Sequence, residues 1–128
     1  LITPNAQEAE VLTGIPVTDT ASAKEAASAL VRMGAKAALV KGGHLEGEPV
    51  DILFSGADYT EFPGKRLDKT MHGTGCVLSA AIAARLALGD ELIAAIAFAK
   101  EYVTKAIERS VVLGKGGMGY FIGIHTED

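Results

Sequence analysis

Residues 72–76 read His-Gly-Thr-Gly-Cys and run straight into an alanine-rich stretch, so that TMHGTGCVLSAAIAARLALG spans residues 70–89. Gly73 and Gly75 allow the backbone to turn tightly and approach a ligand, and the helix expected after them leaves its first N–H groups without internal partners. Such an end suits a tetrahedral oxyanion, phosphate above all, because several N–H groups and the positive end of the helix dipole converge there, and the loop carries no carboxylate to repel it. Cys76 is the single cysteine of the chain. A thiol in the first turn of a helix is biased toward thiolate and is suited to act as base or nucleophile. The same residues also describe a glycine loop feeding a core helix with a small buried cysteine.

Two further constellations carry chemistry. Asn5 and Glu8 are spaced as N-cap and third helical residue, which is a capping box with Asn in place of Ser or Thr. Lys41, Gly42 and Gly43 follow the apolar run Ala37-Ala38-Leu39-Val40. In α/β sheets ligands bind beyond the carboxyl ends of strands, and a lysine there is costly to bury unless an anion meets it.

The elements that must position these residues alternate in type. Leu1 to Thr3 is a strand stub broken by Pro4, and Ala6 to Thr13 is a helix closed by Gly14. Thr18 to Thr20 supply caps for a helix over Ala21 to Met33, whose apolar side is Ala23, Ala26, Ala27, Leu30 and Val31, and Gly34 stops it. The short apolar run ending at Lys41 is a strand covered on both faces. Val50 to Ser55 and Tyr59 to Phe62 form a hairpin about Ser55-Gly56-Ala57-Asp58, giving an antiparallel edge to an otherwise parallel sheet. A helix then runs to Leu88, and after Gly89-Asp90 a long helix extends from Glu91 to Val112. Its buried stripe is Leu92, Ile96, Ala99, Val103 and Ile107, with Glu101 and Lys105 as an exposed pair. Gly114 to Gly119 is expected to be a loose tail or lid.

The bulk properties narrow the function. A chain of 128 residues with 48% hydrophobic and 22% charged side chains has the composition of one globular domain. Its net charge of -4 comes without a basic run, so a nucleic-acid partner is not expected. One cysteine forms no internal disulfide, and no signal-like segment is present, so a reducing, cytoplasmic setting is the expectation. Charged residues interrupt the apolar helices at Arg85, Asp90, Glu91, Lys100 and Glu101, so no membrane span is expected. The chain opens without Met in the apolar pair Leu1-Ile2, and the expectation is that an amino-terminal part of a larger domain lies outside it.

TPNAQEAEVLTG, LVKGGH and KTMHGTGCVLSAAIAA, in that order, resemble the carboxyl-terminal half of the hydroxymethylpyrimidine and hydroxymethylpyrimidine-phosphate kinases, in the ribokinase superfamily. The resemblance runs to about Ile107. It implies a three-layer α/β/α fold with a mostly parallel sheet and an antiparallel hairpin edge. It further implies that residues 1–128 are the nucleotide-binding part of the domain, and that the amino-terminal part supplies the substrate pocket and is the chain's principal partner. The implied reaction moves the γ-phosphoryl group of ATP onto a pyrimidine alcohol, 4-amino-5-hydroxymethyl-2-methylpyrimidine, and then onto its monophosphate. In that family the backbone of Gly73, Thr74, Gly75 and Cys76 would hold the transferring phosphoryl and Cys76 would take the hydroxyl proton. Lys41, beside Gly42 and Gly43, would contact nucleotide phosphates, and Asn5 and Glu8 would position Mg²⁺ through water. The sequence departs from the family at Met71, where Thr is usual, and in the tail from Gly114 to Gly119. His44 and His72 are expected to shape their loops.

Three other readings compete. A pyridoxal kinase of the same superfamily shares the cysteine-containing loop. A nucleotide-binding module without catalysis needs no residue at the base position, so Cys76 argues against it. A redox thiol protein lacks a second cysteine to resolve an oxidised Cys76. The oligomeric state is left open, with a homodimer as one option.

Overall fold

Asn5 adopts an extended backbone, accepts a hydrogen bond on its side chain from the Glu8 N–H, and so starts helix α1, Ala6–Thr13. The helix ends where Gly14 takes φ 76°, a left-handed conformation that glycine adopts without penalty, and donates its N–H to the Glu10 carbonyl at 2.7 Å. The computed structural model describes residues 1–43, 49–64, 70–71, 74–109, 111–112 and 118–120. These fall into two units, Leu1–Arg66 and Leu67–Asp128.

In the first unit helix α2, Thr20–Arg32, begins at Asp19, the middle residue of the capping segment expected from the sequence. Strands β1, Ala38–Val40, β2, Val50–Phe54, and β3, Tyr59–Pro63, form one sheet in that order. Before β1, the segment around Ile2 and Asn5 bridges Ala38 and Lys41 in parallel, with the Leu39 N–H donated to Ile2 O at 2.8 Å. Strands β1 and β2 are antiparallel, Val40 facing Ile52, and so are β2 and β3, Phe54 facing Tyr59. The expected mostly parallel sheet is therefore corrected for the described strands: parallel pairing is confined to the Ile2–Asn5 segment against β1 and to one pair in the second unit. The physical reason lies in connection length. A parallel pair needs a crossover of a dozen or more residues, and β1 is joined to β2, and β2 to β3, by less than that.

Helix α2 packs on β1 and β2, and α1 packs on α2. The core between them is built from Ala9, Val17, Ala23, Ala26, Ala27, Leu30, Ala38, Val40 and Ile52. Small residues on α2 let the helix lie close to the sheet, and each fully buried Val or Ile contributes roughly 1.5–3 kcal/mol. Leu39 and Leu53 face each other on the opposite side of the sheet and are also fully buried, so β1 is covered on both faces as its continuous apolar run implied. The hairpin turn closes with the Ser55 N–H donated to Asp58 O at 3.1 Å, and the Phe54 and Tyr59 rings stack beside it with centroids 4.5 Å apart.

In the second unit helices α3, Thr74–Ala87, and α4, Leu92–Glu108, pack against each other. Leu78 and Ile82 on one and Ala95, Ile96, Ala99 and Ala106 on the other are buried. Arg85 fixes the turn between them: its Nε donates to Asp90 Oδ2 at 2.6 Å and its guanidinium lies 4.5 Å from the centroid of the Phe98 ring. Strands β4, Thr70–Met71, β5, Val111–Val112, and β6, Met118–Tyr120, form a small sheet, β6 lying between β4 (parallel) and β5 (antiparallel). Two expectations are corrected here. The last helix stops at Glu108 instead of reaching Val112, because the β-branched pair Val111-Val112 joins a sheet. Met118 and Gly119, expected in a loose tail, are strand residues; residues 113–117 lie outside the described set.

Candidate active site

The strand-end group is held by backbone pairing across the first sheet. Pro4 accepts the Lys41 N–H at 2.9 Å, and Asn5 bridges Lys41 in parallel register. The N-cap of α1 and the carboxyl end of β1 are thereby locked side by side, although 36 positions separate Asn5 from Lys41 in the sequence. The capping box expected from the sequence is complete: Asn5 Oδ1 accepts the Glu8 N–H at 2.7 Å, and Glu8 Oε1 accepts the Asn5 N–H at 3.2 Å. Glu8 is exposed, although one of its carboxylate oxygens is committed to the cap.

Lys41 is half-buried, while Gly42 beside it is buried and Gly43 exposed. Lys24–Glu61, Arg85–Asp90 and Lys105–Glu101 are ion pairs among the described residues, and Lys41 belongs to none of these three. A half-buried lysine at a strand end is suited to meet an anionic ligand.

One residue of this group was missed in the sequence. Asp51 on β2 is the buried charged residue among the described side chains, at 8% exposure, and its Oδ1 accepts the Gly42 N–H at 2.9 Å. The sequence places Asp51 only within the first strand of a hairpin, with no role of its own. The signal available was the company Asp51 keeps: a carboxylate inside an otherwise apolar strand next to a strand buried on both faces.

The loop–helix group belongs to the second unit. Thr74, Gly75 and Cys76 form the first turn of α3, with Thr74 and Gly75 half-buried and Cys76 exposed. Their N–H groups are among the first four of the helix, which have no carbonyl one turn earlier within it. The exposed thiol replaces the small buried cysteine of the alternative reading. Gly73, together with His72 and His44, lies outside the described residues. The structure therefore brings Asn5, Glu8, Lys41 and Gly42 together in one unit and Thr74, Gly75 and Cys76 together in the other.

No group of three or more His, Cys, Asp or Glu side chains among the described residues is arranged to hold a metal ion directly. The Asn5–Glu8 pair offers a single exposed carboxylate, partly engaged in the cap, a donor set that fits a hydrated cation held through water and does not fit an ion stripped of its shell.

A lysine at a strand end in the first unit and a helix opening at Thr74 in the second are features of a ribokinase-like kinase, the fold of the solved structures on which the chain superposes. Over 94% of this chain and 48% of the other, it superposes on the ADP complex of Bacillus subtilis pyridoxal kinase with a TM-score of 0.86 at 34% identity. Over 83% of this chain and 42% of the other, it superposes on phosphomethylpyrimidine kinase from Clostridium difficile 630 with a TM-score of 0.70 at 39% identity. The family model for phosphomethylpyrimidine kinase matches residues 1–120, and the chain belongs to that family. It is 45% identical over 118 residues to the hydroxymethylpyrimidine/phosphomethylpyrimidine kinase of Aquifex aeolicus, covering 91% of this chain and 46% of that one. It is 52% identical over 118 residues to a thiamine biosynthesis bifunctional protein of Geobacter sulfurreducens, covering 91% of this chain and 24% of that one. The chain thus spans about half the length of the kinases it matches, and less of the bifunctional protein. No helix among the described residues is long and apolar enough to cross a membrane.

Proposed function

We propose that the protein carrying this chain transfers the γ-phosphoryl group of ATP to 4-amino-5-hydroxymethyl-2-methylpyrimidine and then to its monophosphate, and that residues 1–128 form the nucleotide-binding part of the kinase domain. The observation that carries this reading is the family match over residues 1–120, with relatives of that name at 45% identity. The physical chemistry of the site supports it. Phosphoryl transfer leaves the protein little covalent work and is accelerated by positioning and by neutralising spread negative charge. Lys41 supplies a cation for the nucleotide phosphates, with Gly42 and Gly43 allowing close approach. The N–H groups of Gly73, Thr74, Gly75 and Cys76 hold the transferring phosphoryl, and Cys76 takes the proton of the acceptor hydroxyl. Asn5 and Glu8 hold the water shell of Mg²⁺, which when bound neutralises phosphate charge.

A second reading has its own observation. The TM-scores to two pyridoxal kinases, 0.86 and 0.87, exceed the 0.70 to the phosphomethylpyrimidine kinase, whereas identity runs the other way, 34% and 28% against 39%. Backbone shape is shared across the superfamily and side chains choose the acceptor, so identity weighs more here. The test is turnover of the complete protein, with whatever flanks this chain, on three acceptors: the pyrimidine alcohol, its phosphate and pyridoxal. Phosphorylation of the first two is expected; pyridoxal alone would select the second reading, and none of the three would leave a nucleotide-binding module. In the same assay Cys76→Ala should lower kcat by about 10²–10⁴-fold while ATP affinity holds, and Cys76→Asp should recover part of the loss. Unchanged turnover in Cys76→Ala would remove Cys76 from the role of base.

A further inference from the structure

Lys41 is fixed from two directions. On one side its own N–H is donated to Pro4 O at 2.9 Å, within the parallel bridge to Asn5. On the other side the β1–β2 ladder ends with Val40 facing Ile52, and the next free donor beyond Lys41, the Gly42 N–H, is taken by the Asp51 carboxylate at 2.9 Å. The backbone therefore leaves the β1–β2 ladder at Lys41 and is caught by a side chain of the neighbouring strand β2. Gly42 is itself buried, so its N–H has no recourse to water. Burying Asp51 is costly, and a buried carboxylate persists where its hydrogen bonds are made good.

We infer that Asp51 is a positioning residue for phosphate binding: its carboxylate, by holding the Gly42 N–H, sets the direction in which the Lys41 ammonium leaves the strand end and so sets the affinity for a nucleoside diphosphate. This inference rests on the proposed contact between Lys41 and nucleotide phosphate. Asp51 touches no phosphate itself. Removing the acceptor leaves a buried donor unsatisfied, and the strand end relaxes toward a ladder or a water-exposed turn, carrying Lys41 with it.

The readout is Mg·ADP binding to the complete protein by titration calorimetry, so that the result does not depend on which acceptor is phosphorylated. Asp51→Ala should weaken ADP binding by about 10-fold, because displacing a charged contact by an ångström is enough to forfeit most of it. Asp51→Asn keeps an acceptor oxygen in the same place and should bind within about threefold of the parent. In a double-mutant cycle, Asp51→Ala should add no further loss to Lys41→Met, since the aspartate acts through the lysine. Where Asp51→Ala fails to fold, Asp51→Ser, polar but too short to reach Gly42, takes its place in the cycle. ADP binding equal to the parent in the Ala or Ser variant overturns the inference, as does a loss that adds in full to that of Lys41→Met. A parent protein that binds no ADP overturns it together with the nucleotide reading. A parent that binds ADP yet phosphorylates no pyrimidine fails only the proposed reaction.

Discussion

Helices α1 and α2 both start with a reciprocal capping box, and the two boxes differ in what surrounds them. At α2 the Asp19 Oδ1 accepts the Ser22 N–H at 2.8 Å and the Ser22 Oγ accepts the Asp19 N–H at 3.0 Å. The further bonds of that box, from the Thr18 N–H to Ser22 Oγ and from the Ser22 hydroxyl to Asp19, also stay within residues 18–22. At α1 the box is equally closed, but its N-cap is simultaneously bridged to Lys41 at the end of a strand. The carboxylate has also changed places: it is the cap at α2 and the third helical residue at α1. A cap is thus a local solution to unpaired N–H groups and says nothing about function; the long-range bridge to a strand-end lysine is what sets α1 apart and supports the second task proposed for Asn5 and Glu8.

Lys41 separates the two helix starts most sharply, because it has a counterpart at only one of them. Lys41→Met should lower kcat/KM for ATP by about 10²-fold, the size expected when one donor to a developing anion is removed, with the thermal midpoint unchanged. If stability falls and kinetics hold, the lysine is a strand-end charge and α1 is no more functional than α2. Glu8 gives a smaller and more specific effect. Glu8→Gln keeps an oxygen for the Asn5 N–H and removes the charge, so turnover at limiting Mg²⁺ should fall by about 10-fold and recover as Mg²⁺ is raised, as for other groups that act on a metal through water. A lower midpoint with unaltered Mg²⁺ dependence would reduce Glu8 to a cap.

Much of this contrast was legible in the sequence. Asn5 three residues before Glu8 and Gly14 after Thr13 specify α1 at both ends, and the bounds expected for it are those observed. The group Lys41-Gly42-Gly43 was legible because an uninterrupted apolar run has few other ways to end. Three features were not. The antiparallel hairpin edge was legible, but how small the parallel share of the described sheet is depends on connection lengths, which apolar patterning does not encode. Val111 and Val112 read as two more helical residues because their partner, β6, lies beyond an intervening glycine-rich segment. Asp51 was not singled out, because a period of two identifies the outward face of a strand only when one face meets water, and the neighbouring β1 is buried on both.

The smallest expected effect belongs to the α2 box, and it is one of stability alone. Asp19→Ala should lower the thermal midpoint by a few degrees and leave ATP kinetics untouched, since every bond of that box ends on residues 18–22. Its pH dependence can be assigned a sign. The Ser22 backbone N–H, and after it the Ser22 hydroxyl, hold the Asp19 carboxyl below its usual 3.8, with burial opposing only weakly. A carboxyl whose folded-state pKa is depressed contributes stability that is fully present above the unfolded-state value and is lost as pH falls through the folded-state value. The difference in midpoint between the parent and Asp19→Ala should therefore be flat through the neutral and mildly acidic range and shrink once pH drops below 3.8. Asp19→Asn keeps the acceptor for the Ser22 N–H without a titrating proton, so its midpoint should move less with acid than that of the parent over the same interval. Melting curves of the three proteins across that interval check the assignment: a difference that widens on acidification would mean that Asp19 is stabilised in its protonated form, contrary to the geometry of the box.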